Sequence, residues 1–273
     1  KLARKWGSAK RGGAFEFVVF EDAFHGRTLA TMSASGKPGW DRLFEPKVPG
    51  FVRVPRNDLD AVRHAIGPRT CAVLLEPIQG ESGVLPFTIA FLRDVRELTR
   101  ERGVLLVLDE IQTGVGRTGT MFAFEHAGIR PDIMTLGKGL GGGVPLAALL
   151  VREEVSLFEA GDQGGTFNGN PLMTAVGDAV VAEVSKLEFL VHVRDTGAYL
   201  AGRLKALGEV RGEGLLLALE LGKPVGKQVA DAALERRLLI NSPRPGCLRF
   251  MPALNVTREE VDVMLERLLP CLI

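Results

Sequence analysis

Lys138 lies in a glycine-rich stretch, TLGKGLGGGVPL, that spans residues 135–146. The glycine spacing includes a match to G-x-G-x-x-G, but the stretch does not lie between a first strand and its helix, where dinucleotide-binding folds need that motif. The phosphate loop of nucleoside triphosphatases is excluded because a glycine, and not Ser or Thr, follows the lysine. No other lysine occurs between Lys47 and Lys186. We therefore interpret the glycines as giving a bulky ligand access to the backbone beside this amine.

Carboxylates end two of the apolar runs that precede Lys138. Glu76 ends TCAVLLE, and Asp109 with Glu110 ends VLLVLDE. Ligands of open α/β sheets bind at the carboxyl ends of strands, although a single strand-end carboxylate is more often a helix cap or a turn residue. A lysine amine can form a Schiff base with the carbonyl of pyridoxal phosphate, whose ring nitrogen also needs a carboxylate partner. Asp109 and Lys138 are 29 residues apart, about one strand-helix-strand unit, so both can face one pocket.

Short apolar runs alternate with helical patterns in the part of the chain that contains these residues. Nearly continuous apolar strands separated by helices predict an α/β fold with a mostly parallel sheet that is covered on both faces. From about Phe189 onward, helices and strands predict a smaller α+β domain. We expect a large domain over residues 1–188 and a small C-terminal domain over residues 189–273.

Composition and charge exclude several other classes of protein. The 273 residues carry a net charge of +1, and the charges are dispersed, which argues against nucleic acid or a membrane surface as a partner. The three cysteines form no C-x-x-C pair, so neither a disulfide framework nor a zinc site is expected. No apolar run approaches the roughly 20 residues of a membrane span, and the first residues lack the apolar core of a signal peptide. We expect a cytoplasmic protein without a metal.

The sequence resembles the class III pyridoxal-phosphate aminotransferases of fold type I. The resemblance is carried first by VLLVLDEIQTGVGRTGTMFAFEHAGIRPDIMTLGKGLGGGVPLAA, residues 104–148. Four further stretches resemble family segments in the family's order: FHGRTLATMSASG, LLEPIQGESGV, GTFNGNPL and CLRFMPALNVT. These stretches extend over essentially the whole chain, so the resemblance implies the fold, the cofactor and the reaction class of the family.

The resemblance implies a role for five residues at the cofactor. Lys138 would hold pyridoxal 5′-phosphate and move the proton, while Asp109 would pair with the ring nitrogen. Gln112 would contact the ring hydroxyl. Phe24 would stack on the ring, where an aromatic face offers dispersion and offset stacking, and His25 would support the wall behind it.

The same resemblance implies a homodimer with a shared active site and a set of substrate contacts. Thr166 would bind the cofactor phosphate across the dimer. Arg27 would bind the substrate α-carboxylate, for which a bidentate guanidinium is well shaped. Glu81 would pair with Arg249, and the pair would form and break as two substrates of different shape alternate in the site.

Three segments, FHGRT, EPIQGESGV and LRFMPALNV, resemble the sequences of family members that move the terminal amino group of an ω-amino acid to 2-oxoglutarate. N-acetylornithine and a lysine precursor bound to an amino-group carrier protein are the expected donors, in arginine or lysine biosynthesis. Four alternatives stay open: ornithine, succinylornithine or 4-aminobutyrate as the donor; a non-catalytic truncated paralogue; racemisation on the same cofactor; and aminomutation on the same cofactor.

The first residues depart from the family pattern. KLARKWG resembles the end of a helix that, in the family, follows a phosphate-binding loop. Backbone amides at a helix N-terminus are a main source of affinity for a phosphate group. We therefore expect that this sequence is a truncated portion of a longer enzyme and that, by itself, it binds the cofactor weakly or not at all.

Overall fold

The computed structural model describes residues 1–272 as alternating strands and helices. The strands are β1 Glu16–Phe20, β2 Phe51–Val54, β3 Thr70–Leu75, β4 Ile78–Gln79, β5 Leu85–Pro86, β6 Leu105–Asp109, β7 Ile133–Leu136, β8 Ala148–Val151, β9 Glu209–Glu213, β10 Leu216–Glu220, β11 Asn241–Arg244 and β12 Cys247–Phe250. The α-helices are α1 Leu2–Lys10, α2 Leu29–Ala34, α3 Leu59–Ala65, α4 Ile89–Arg102, α5 Phe124–Ala127, α6 Pro171–Val184, α7 Leu187–Lys205, α8 Gly226–Glu235 and α9 Arg258–Leu268.

The first sheet has six strands in the order β2-β1-β3-β6-β7-β8. All neighbours run parallel except β8, which is antiparallel to β7. Side chains of its strands alternate between two apolar clusters, with Leu106 and Leu108 in one and Leu105 and Val107 in the other. Burial on both faces explains why these strands are nearly continuous apolar runs, and it confirms the predicted mostly parallel sheet.

Helix α4 shows how local sequence sets the ends of the elements. Thr88 precedes the helix, and its side chain accepts a hydrogen bond from the Phe91 backbone N–H at 3.1 Å. Gly103 ends the helix with φ of 58°, a left-handed conformation that glycine adopts without steric cost. The helix returns the chain to the amino end of β6, so that β6 runs parallel to β3.

The chain forms two compact units. One contains residues 1–77, 87–112 and 123–181, and the other contains residues 78–86, 113–122 and 182–273. In the second unit, an antiparallel sheet of order β11-β12-β10-β9 and helices α7, α8 and α9 enclose an apolar core. Since compactness alone does not show independent folding, the domain boundary between residues 188 and 189 stays a prediction.

Residues 1–272 contain neither a membrane-spanning helix nor a cluster of metal-binding side chains. Among these residues, no helix has the length and apolar character needed to cross a membrane. Over the same range, His, Cys, Asp and Glu side chains form no group of three or more that could hold a metal ion.

Candidate active site

Asp109 forms the centre of a buried polar cluster at the carboxyl end of β6. Its Oδ2 lies 2.8 Å from His25 Nδ1, and its Oδ1 accepts hydrogen bonds from the Ile111 backbone N–H at 3.2 Å and from Thr135 Oγ1 at 3.3 Å. Burial by itself lowers the pKa of His25, but the hydrogen bond and the charge of Asp109 outweigh burial and raise it overall. Asp109 is therefore a fixed carboxylate, and His25 is the residue that orients it.

Phe24 and His25 follow β1 and are fixed mainly through their backbone. The Phe24 N–H donates to Glu76 Oε1 at 2.8 Å, and the His25 N–H donates to Ser35 Oγ at 2.9 Å. The half-buried Phe24 ring contacts the Trp40 ring edge-on, with the centroids 5.6 Å apart. The His25 Nε2 atom is buried without a hydrogen-bond partner among residues 1–272, so this polar atom has capacity for a contact beyond those residues.

Glu76 belongs to this cluster, although only its place at the end of an apolar run could be read from the sequence. It follows β3, is 5% exposed and accepts the Phe24 N–H. Burial raises the pKa of Glu76 to about 8, and the charge of Asp109 adds to the increase, while His25 and Lys138 oppose it. The signal in the sequence was a carboxylate that directly follows a buried apolar run.

Lys138 lies two residues after β7, whose Thr135 is paired in register with Asp109. Its φ of 43° is in the left-handed region, which is uncommon for a residue other than glycine. The Lys138 side chain is exposed. Strained backbone conformations of this kind cluster at functional sites, where the surrounding structure maintains them.

At least one glycine of the glycine-rich stretch around Lys138 serves packing rather than ligand access. Gly142 has φ of 57°, and a Cβ atom there would lie 2.6 Å from Val180 Cγ2 on α6. Gly177 of the same helix would bring a Cβ atom to 2.3 Å from Leu146 Cδ2. The loop is therefore pressed against α6, and part of the glycine content follows from that contact.

The other predicted residues of the first unit take different positions. Gln112 is buried three residues after Asp109. Arg27 is exposed, and its guanidinium carbon lies 5.7 Å from the centre of the Trp40 ring. Thr166 is exposed within the exposed segment 164–169. Their roles in binding stay predictions.

Glu81 and Arg249 form an ion pair within the second unit. One guanidinium nitrogen of Arg249, NH1, lies 2.8 Å from Glu81 Oε1 and also donates to the Gly80 carbonyl oxygen at 2.8 Å. Arg211, on β9 of the same sheet, donates from Nε to the Gly83 carbonyl oxygen at 2.8 Å. The hairpin that carries Glu81 is thus held through its backbone, so the Glu81 side chain can move while the hairpin stays in place. The pairing agrees with the predicted one, and its use in substrate exchange stays a prediction.

The donor set of the first unit fits pyridoxal phosphate. The carboxylate of Asp109 is buried and held by three contacts, which suits it to pair with a protonated ring nitrogen. Lys138 supplies an amine next to the strand paired with β6, and Phe24 supplies an aromatic face. The buried His25 Nε2 atom without a partner among residues 1–272 is the kind of group that a bound molecule or water would satisfy.

Comparison with known proteins identifies the family. The family described as aminotransferase class-III matches residues 1–272. An acetylornithine aminotransferase from Ralstonia nicotianae is 56% identical over 97% of this chain and 70% of its own length, and one from Aquifex aeolicus is 46% identical over 96% and 70%.

Solved structures agree with that assignment. An ornithine aminotransferase from Toxoplasma gondii, with pyridoxal phosphate in partial occupancy at its active site, has a TM-score of 0.93 and 32% identity over 99% of this chain and 67% of its own. An ω-transaminase from Thermomicrobium roseum has a TM-score of 0.90 and 28% identity, over 99% and 70%. The predicted fold, cofactor and enzyme class are confirmed: this chain belongs to the class III aminotransferases, which depend on pyridoxal 5′-phosphate.

Proposed function

We propose that this enzyme moves the terminal amino group of N-acetylornithine to 2-oxoglutarate, in the biosynthesis of arginine. The observation that carries the proposal is the Asp109–His25 pair at the end of β6, next to the strand that leads to Lys138. The choice of donor is supported by relatives named acetylornithine aminotransferase that are 43–56% identical to this chain.

The bound cofactor supplies an electron sink for the electron pair left when a proton leaves the substrate carbon. Lys138 Nζ would hold the cofactor, and it would also accept a proton from the substrate carbon or return one to it. Asp109 would keep the ring nitrogen of the cofactor protonated, and His25 orients the Asp109 carboxylate through the 2.8 Å contact. Phe24 would cover one face of the cofactor ring, and its backbone N–H is held by Glu76.

Two arginines account for the handling of two unlike substrates. Arg27 binds the α-carboxylate of N-acetylornithine, whose reacting amine lies at the far end of the molecule. With glutamate, the reacting amine is next to the α-carboxylate, so the carboxylates must be bound differently. When N-acetylornithine is bound, Glu81 pairs with Arg249 and neutralises its charge. When glutamate is bound, the Glu81 side chain moves away, and Arg249 binds a glutamate carboxylate.

A homodimer completes the site in this proposal. Helix α6 is apolar in sequence, yet most of its side chains are exposed, and Leu172 near its start is 66% exposed. Phe167, next to Thr166, is 81% exposed. Exposed apolar side chains in this segment support the proposal of an interface here. A second copy of the chain would cover it and place Thr166 at the cofactor phosphate of its neighbour.

Ornithine is the second candidate donor, because an ornithine aminotransferase has the fold of this chain at 32% identity. The carrier-linked lysine precursor, for which a carrier protein would be the partner, is tested in the same experiment. The cytoplasm is the proposed location.

The test is a panel of donors with 2-oxoglutarate, with glutamate formation as the readout. N-acetylornithine should give a kcat/KM at least about tenfold above ornithine and 4-aminobutyrate, a difference of about 1.4 kcal/mol in transition-state binding. Arg27→Lys is the matched variant because it keeps the charge and loses the bidentate geometry. A preference for ornithine, or no glutamate from any donor, would refute the proposal.

A further inference from the structure

We propose that Glu76 is a positioning residue of this active site, one that fixes Phe24 over the cofactor ring and sets the charge around the His25–Asp109 pair. The inference rests on the proposed function, because it assigns Phe24 and Asp109 to the cofactor. It concerns a residue that the resemblance to the family left without a role.

The placement of Glu76 follows from the register of the sheet. Leu75 of β3 is paired with Leu108 of β6, so Glu76 and Asp109 occupy the next position on two neighbouring parallel strands. Neighbouring strands lie about 4.8 Å apart, and residues at one register position point to the same face. Two buried carboxyl groups therefore lie side by side at this edge of the sheet.

Glu76 has a direct contact with the residue expected to cover the cofactor. Its Oε1 accepts the Phe24 backbone N–H at 2.8 Å, and the next residue along the chain, His25, is bonded to Asp109. The two carboxyl groups thus hold two consecutive residues, one through its backbone and the other through its ring. Burying a carboxyl group without a hydrogen-bond partner costs free energy. The hydrogen bond from the Phe24 N–H offsets part of that cost for Glu76.

The two carboxyl groups differ in their surroundings. Asp109 has His25 and two further hydrogen-bond donors, whereas the one hydrogen bond described for Glu76 comes from a neutral backbone amide. Burial raises the pKa of Glu76 to about 8, with Asp109 adding to the increase and with His25 and Lys138 opposing it. Near neutral pH, Glu76 therefore keeps its proton, so the two neighbouring carboxyl groups do not both carry a charge.

The raised pKa of Glu76 sets the direction in which the stability of the protein changes with pH. Because the pKa of Glu76 in the folded protein lies above its ordinary value of 4.5, its contribution to stability is complete below about 4.5 and is lost as the pH rises to about 8. Above about 8, Glu76 becomes a second negative charge beside His25, which raises the pKa of the imidazole.

The experiment compares Glu76→Gln, which keeps an acceptor for the Phe24 N–H, with Glu76→Leu, which removes it. The control is Glu110→Gln, a buried carboxylate one residue after Asp109 that accepts from the Ala123 and Phe124 N–H groups. One readout is the titration of His25 by proton NMR in the cofactor-free protein, which has four histidines to assign. The other is the dissociation constant of pyridoxal phosphate, measured by fluorescence.

The proposal predicts that Glu76→Gln removes the inflection near pH 8 from the His25 titration, because Glu76 carries a charge only above about that pH. The cofactor affinity of this variant should stay within about threefold of the unmodified protein. Glu76→Leu should weaken cofactor binding about tenfold or more, equal to the loss of one hydrogen bond to a buried amide. Glu110→Gln should leave both readouts unchanged.

An unchanged His25 titration in Glu76→Gln would overturn the charge role, and unchanged cofactor affinity in Glu76→Leu would overturn the anchoring role. If Glu76→Leu does not fold, Glu76→Gln still decides the proposal through the His25 titration. A protein that forms no glutamate with any donor would refute the proposed function, but the His25 titration would still report on Glu76.

Discussion

Gly197 and Gly202 lie on the same helix, α7, and the structure predicts opposite effects when each is replaced by alanine. Gly197 is buried, and a Cβ atom there would lie 2.3 Å from the Gly214 carbonyl oxygen and 2.9 Å from the Gly214 Cα. Gly202 is exposed, with nothing within 4 Å of a Cβ atom. Both glycines have ordinary helical backbone, so the alanine gains the same helix propensity at each position.

The expected changes in the free energy of unfolding combine helix propensity with the space around each glycine. Alanine is better than glycine inside a helix by about 1 kcal/mol, so Gly202→Ala should raise the free energy of unfolding by up to about 1 kcal/mol. At Gly197 the same gain is opposed by overlap with backbone atoms, which cannot rotate away as a side chain can. Overpacking costs about 3 kcal/mol at the upper end of its usual range. Gly197→Ala should therefore lower the free energy of unfolding by about 2 kcal/mol.

The assay is urea denaturation combined with hydrogen exchange of the α7 amides, because exchange reports the second unit without the signal of the first. The two variants should differ by about 3 kcal/mol in the free energy that protects residues 187–205. Equal stability of the two variants, or a more stable Gly197→Ala, would show that α7 does not pack against Gly214 as described.

Three further predictions concern the active site. Asp109→Asn should lower the rate of glutamate formation about 100-fold or more, because a buried paired charge is lost, while mass spectrometry should still find the cofactor on Lys138. Glu81→Gln should raise the KM for N-acetylornithine about tenfold, because Arg249 loses its counter-charge. The KM for 2-oxoglutarate should stay within about twofold. Equal changes in both KM values would refute the idea that the Glu81–Arg249 pair forms and breaks as the substrates alternate. Phe167→Ser should shift the protein toward monomer in sedimentation analysis, and an unchanged assembly would contradict an interface at this surface.

The sequence allowed the central pair of the site to be predicted because strand ends can be recognised from apolar runs. Asp109 and Lys138 each follow such a run, and the parallel sheet brings their strands together in register. The Glu81–Arg249 pair came from resemblance to a family, and no spacing rule joins residues 168 positions apart.

Other contacts could not be predicted, because they depend on how distant segments pack. The His25–Asp109 bond joins residues 84 positions apart, and Glu76 acquires its contact with Phe24 only when β1 and β3 align. Gly142 was interpreted as room for a ligand, whereas the structure shows that it also allows close contact with Val180. Side-chain geometry of this kind follows from tertiary structure rather than from local pattern.

The measurement that tests the central claim most directly is borohydride reduction of the protein mixed with pyridoxal phosphate, followed by mapping of the modified peptide. The account predicts one modified residue, Lys138, and loss of the modification in Lys138→Ala but not in Lys186→Ala, which removes an exposed lysine paired with Glu183. Modification spread over several lysines, or retained in Lys138→Ala, would contradict the assignment of Lys138 as the residue that holds the cofactor.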